Sequence, residues 1–201
     1  MAYRPGFALA ALPFALIAAP AAAQDTPPAC PAERAVYTMV DEHGEFRAAF
    51  IPALHHASVV SDFYFKLTTP QRAYWFTFSA SNGYGGITLL PVSDPYAPTA
   101  QESGPNELLR EASDTFEEDA QRKLLDTLRF IPLDHDLKEL ANPPTGGDTA
   151  PPYLLLPEIG VTLWYGASSL TEDQSAQRDS ISRSAFKLVG CTDEAPPKAW
   201  P

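Results

Sequence analysis

Histidine is the side chain best suited to metal binding or proton transfer near neutral pH, and this chain has four, at His43, His55, His56 and His135. His55 and His56 are adjacent. On a strand their rings point to opposite faces, and on a helix they stand about 100° apart, so they do not readily share a metal. The run Asp134-His135-Asp136 sets two carboxylates beside an imidazole. A cleft joining His135 and Asp134 or Asp136 to a histidine from another segment would suit a hydrolase, with or without a metal. The same run lacks the glycine and terminal glutamate of a calcium-binding EF-hand loop. Serine chemistry finds little support, because Gly166-Ala167-Ser168-Ser169-Leu170 carries only the first glycine of a nucleophile elbow. Ser81-Asn82-Gly83-Tyr84-Gly85-Gly86 lacks the Gly-Lys-Ser/Thr ending of a phosphate loop and reads as a turn. These spacings assign no catalytic residue, metal or cofactor.

Aromatic side chains offer a different chemistry. Eight of them crowd between Phe63 and Tyr84, and most are expected to fill a core. Tyr64, Tyr74, Trp75 and Tyr84 are the candidates for an apolar pocket or partner surface, which Trp164 and Tyr165 could extend from another strand. Burial discriminates between the two readings: a covered Trp75 speaks for packing, an open one for a pocket.

The compartment is read from the first two dozen residues. Arg4 precedes an apolar run over 7–19, and Ala21-Ala22-Ala23 supplies the small residues of a signal-peptidase site, so residues 1–23 read as an export signal cut before Gln24. No later run approaches the roughly 18 apolar residues of a membrane-spanning helix. Net charge is −11, and removing the leader takes away one further base and no acid; such a surface repels nucleic acid and anionic lipid. The only cysteines are Cys30 and Cys191. In an oxidising compartment they are expected to pair, closing a loop around almost the whole domain for a gain of about 5 kcal/mol on the chain-entropy model. The alanine, arginine and proline usage resembles that of GC-rich bacterial genomes, which points to a periplasm.

Periodicity supplies the elements that must position these groups. Residues 35–41 and 45–51 read as a hairpin about Glu42-His43-Gly44. Alternation in 59–69, a doubly buried stretch over 73–79 and a further run over 87–92 read as a three-stranded antiparallel meander. A helix begins at a capping box of Thr115 and Glu118, with Phe116, Ala120, Leu124 and Leu128 on the stripe that should lie across the sheet. A shorter helical turn is expected over 107–112. Residues 159–165 and 181–189 read as a final hairpin around a long polar loop. The 21 prolines, paired at 27–28, 143–144, 151–152 and 196–197, punctuate the chain.

The expected fold is therefore α+β: a mostly antiparallel sheet with one amphipathic helix packed on it and the ends joined by the disulfide. An all-β sandwich or barrel with an inserted helix is the alternative. The expected organisation is a signal peptide (1–23), an N-terminal tether (24–34), one globular domain (35–192) and a C-terminal tail (193–201). The expected function is that of an exported, soluble, noncatalytic protein binding a periplasmic protein or small apolar ligand, or serving as an envelope accessory; the alternative is the hydrolase built on His135.

Overall fold

A period-2 strand with one apolar face must bury that face, and here eight such strands do so by closing on one another. The computed structural model describes residues 29–81, 86–109 and 115–200. The expected leader, Tyr84 and the Asn82-Gly83 turn lie outside them. The strands are β1 (Ala35–Asp41), β2 (Gly44–Pro52), β3 (Phe63–Thr68), β4 (Ala73–Ala80), β5 (Ile87–Val92), β6 (Arg129–Leu133), β7 (Tyr153–Leu155) and β8 (Phe186–Cys191). Each pairs antiparallel with the next, and β8 returns to pair with β1, giving a closed barrel. The α+β expectation is thus overturned. The sheet has closed on itself, and Ile159 and Leu163 of a short helix join the core that its strands enclose; the barrel named as the alternative is nearer to what is seen.

The first five strands fall where alternation and turn residues put them. The β1–β2 hairpin pairs Tyr37 with Ala48 and Asp41 with Gly44, and Gly44 takes a φ of +132° that a side chain would oppose. The remainder departs from expectation. Residues 159–165, read as a strand, belong to the helix α3 (Ile159–Gly166). Ile159, Thr162 and Leu163 are buried there while Val161 and Tyr165 are exposed, so the 3.6-residue period decides over β-branched propensity. Gly160 permits this placement, because a Cβ there would stand 2.9 Å from the Ile181 carbonyl oxygen. Among the described residues the other α-helices are α1 (Ala100–Ser103) and α2 (Thr115–Thr127). The described part of 107–112 is not helical: Glu107 bridges to Val92 and the chain bends at Leu108 and Leu109.

The barrel interior is solid. Tyr37, Phe46, Phe50, Phe63, Phe65, Tyr74, Phe76, Phe78, Phe130 and Phe186 are buried in one cluster. Phe130 lies 5.2 Å from Phe65 and 5.1 Å from Phe78, ring centre to ring centre, in edge-on contact, the arrangement that aromatic quadrupoles favour. Outward positions include Glu45, Arg47, Arg129 and Lys187, all exposed. An apolar inside with a charged outside is the reverse of a lipid-embedded barrel. Among the described residues, no helix is long and apolar enough to cross a membrane.

Two polar ties fix the ends. Cys30 and Cys191 form the disulfide, with Cα atoms 5.7 Å apart, at the β1–β8 seam. Asp179, buried, accepts hydrogen bonds from Thr69 Oγ1 at 2.5 Å and from the Tyr74 hydroxyl at 3.3 Å, pinning the long polar loop before β8 over the barrel mouth. Burial, and then the Asp179 charge, push the Tyr74 phenol well above its ordinary pKa, so it remains a donor.

Truncation inside the barrel should be costly because the rings interlock. Phe65→Ala is expected to lose about 3–5 kcal/mol of unfolding free energy in urea, whereas exposed Phe116→Ala should stay within about 0.5 kcal/mol of the parent. Equal losses at the two positions would contradict this account of the core.

Candidate functional site

Of the nine phenylalanines among the described residues, eight are buried in the barrel and one, Phe116 at the start of α2, is 81% exposed. The cause lies in how α2 is fastened. Leu128, just past its end, is buried, and its carbonyl accepts from the Leu89 backbone N–H of β5 at 2.8 Å. The Thr127 and Thr162 hydroxyls join α2 to α3. Toward the other end, Leu124 is half-buried and Ala120 exposed, so the apolar stripe is covered only where the helix leaves for β6.

The uncovered part of α2 forms one wall of a cleft of about 740 Å³. The second wall is the 3-10 turn Ala167–Leu170 with Thr171 and Glu172; the third is the stretch Asn106 to Leu109. That stretch is held by backbone bonds from Ser93 N–H to Asn106 oxygen (2.9 Å) and from Leu108 N–H to Pro91 oxygen (3.0 Å). Asn106 Nδ2 reaches across to Glu172 Oε1 at 3.2 Å. Leu108, Leu109 and Leu124 give the lining its apolar part, and among the described residues Glu107 and Glu172 are its charged side chains. Ser168, Ser169 and Thr171 add hydroxyls, but no histidine or lysine lies among them to act as base. Such a cleft can bind by shape, apolar contact and negative charge.

The residues singled out from sequence are dispersed. Tyr64 and Trp75 do point out of the barrel, but both are buried, in a second cluster with Ile51, Val92 and Ala199. What covers them is the segment 196–200: Ala199 bridges Ala53, Tyr64 donates to the Trp200 carbonyl at 3.1 Å, and Tyr96, edge-on to Trp75, donates to the Pro197 carbonyl. Burial pushes the Tyr64 phenol up to about 12. Tyr74 faces the other way, into the barrel, and Tyr84 lies outside the described residues. The structure therefore brings Tyr64 and Trp75 onto one covered outer face and separates Tyr74 from it. Trp164 and Tyr165 are exposed on α3, where Arg178 stacks over the Trp164 ring at 4.4 Å.

His135 is exposed in the turn after β6. The Asp134 carboxylate beside it accepts from the backbone N–H groups of Asp136 and Lys138, each at 2.9 Å, and so serves the turn. His55 lies edge-on to Trp200, and His56 pairs with Asp62. Among the described residues no three His, Cys, Asp or Glu side chains gather as a metal site would require. Neither family models, curated proteins nor solved structures give a match to this chain.

Phe116 was legible in sequence as an apolar position but not as an exposed one. The available signal was the thinness of the stripe, where Phe116, Ala120 and Leu124 place roughly one residue per turn and only two of the three are large. A helix buried against a core shows three or four apolar residues per two turns.

The His56–Asp62 pair has a structural consequence that can be measured. The Gly146 N–H, 3.0 Å from Asp62 Oδ2, is the largest influence lowering the Asp62 pKa below its ordinary 3.8; burial opposes it, and His56 and Lys198 assist. A depressed folded value means that the stabilisation is complete above the ordinary carboxylate value and disappears as pH falls through the lowered one. Asp62→Asn should accordingly lower Tm at pH about 6, with the gap to the parent narrowing as pH falls below the ordinary carboxylate range. A gap that stays constant over that range would show that Asp62 is not held by these bonds.

Proposed function

We propose that this chain is an exported, noncatalytic binding protein of a bacterial periplasm, and that it engages a protein partner through the uncovered part of α2, which carries Phe116 and whose Ala120 and Leu124 line the cleft. The observation that carries the reading is the exposure of that one phenylalanine against the burial of the other eight. Uncovering a large aromatic ring sacrifices roughly 1.5–3 kcal/mol of burial, a cost that contact with a partner would recover. The acidic, hydroxyl-rich lining favours a partner segment with an apolar side chain beside a lysine or arginine. Export is supported by the disulfide, which persists outside a reducing cytosol. The leader would be cut after Ala23.

The test places a photoreactive phenylalanine analogue at position 116, and in a separate variant at Val59, which is 102% exposed. Both are expressed with the leader in the native compartment and irradiated. A discrete adduct is expected from position 116 and none from 59, and the intact mass of the unreacted protein should begin at Gln24 and lack two hydrogens for the disulfide. No adduct at 116, or the same adducts from both positions, would refute partner binding there; a mass retaining the leader would refute the cleavage.

A further inference from the structure

A second cleft opens beside the disulfide, on the outside of the barrel and separate from α2. It measures about 440 Å³, within the 300–1,000 Å³ range of small-molecule sites. Pro152, Tyr153, Leu188 and Val189 give it an apolar surface, and the Cys30–Cys191 bridge borders it. Among the described residues, Lys187, His135 and Tyr153 are the titratable side chains of the lining, and no aspartate or glutamate is among them, Asp134 and Asp136 flanking His135 in the chain without lining the cleft. In a chain of 25 acidic and 14 basic residues, a described lining with no carboxylate departs from the overall composition. Lys187 stands opposite Tyr153 in the β7–β8 register, and among the described residues it forms no ion pair. Its strand position sets its Cα on the barrel wall, and its side chain is exposed to solvent.

We propose that this cleft binds a free medium-chain carboxylate, with the carboxylate at Lys187 and His135 and the hydrocarbon along Val189, Leu188 and Pro152. An acyl chain gains by leaving water, and the lysine selects an anionic head over a cationic one. The overall negative charge of the protein disfavours an anionic bilayer as the source, because a vesicle meets the whole acidic surface and a single carboxylate meets only the cleft.

The experiment is calorimetric titration of the disulfide-intact mature chain with decanoate below its micellar concentration, at low salt. One decanoate per chain is expected, with decyltrimethylammonium bound at least about tenfold more weakly. Lys187→Glu should weaken decanoate about tenfold. Val189→Asp, which sets a carboxylate on the apolar wall, should abolish binding. Val189 is 58% exposed and Lys187 is exposed as well, so unchanged melting curves verify that both variants are folded. Equal affinity for the two amphiphiles, decanoate binding unaffected by either substitution, or binding to phosphatidylglycerol vesicles without binding to decanoate would each overturn the proposal. None of these outcomes bears on the crosslink at position 116.

Discussion

An eight-stranded sheet that closes leaves an interior just wide enough for side chains to fill, and here the filling is largely phenylalanine. Phe50, Phe65, Phe78 and Phe130 come from four different strands and meet at ring separations of 5.1 to 6.2 Å. No strand can leave without opening a void among the others. The plug also dictates where recognition can occur: a barrel filled to its axis keeps no lumen for a ligand, so any site must be built on the wall or from the connections.

The connections follow that rule. The chain after β5 builds α1 and α2, and the chain between β7 and β8 builds α3 and a long polar loop, and together these shape the acidic cleft. On the outer face of β8, Lys187 borders the second cleft with His135 of the β6–β7 connection, and among the described residues no carboxylate lines it. The aromatic residues that point outward, Tyr64 and Trp75, are covered by the chain's own C-terminal segment. An outward tryptophan on a barrel need not be a ligand platform, since a strap of a few residues is enough to take it out of water.

How much of this could be read beforehand depends on the range of the interactions. The hairpin, the meander and their turns are local, so alternation in Phe63, Phe65 and Leu67 and the Glu42-His43-Gly44 turn placed β1 to β5, with β3 starting four residues later than the 59–69 reading. Barrel closure is not local. It needs β8 to find β1 across almost the entire chain, and only the two cysteines hinted at that encounter. Strand β6 was missed because Pro132 breaks its β-like run, and β7 because three residues carry no period. The 159–165 segment was misassigned because Ile, Val, Trp and Tyr favour strands, while the burial of Ile159 and Leu163 four residues apart follows from packing that no local window contains. The uncovered part of α2 was hidden for the same reason: Phe116 has the residue type of a core position, and only the way α2 is anchored at its far end leaves it in solvent.

The ladder around the barrel is uneven. Strand β4 shares six register pairs with β5, and β2 shares six with β3, yet β5 meets β6 through two and β7 meets β8 through two. The β6–β7 hairpin is therefore a panel hung between two narrow seams, joined at its own top by the proline-rich crossing. Fluctuations that fall short of unfolding should part the molecule along those lines, so that its backbone amides exchange with solvent sooner than those of β2 to β4. The disulfide lies at the neighbouring β1–β8 seam and limits how far such a gap can spread around the circumference.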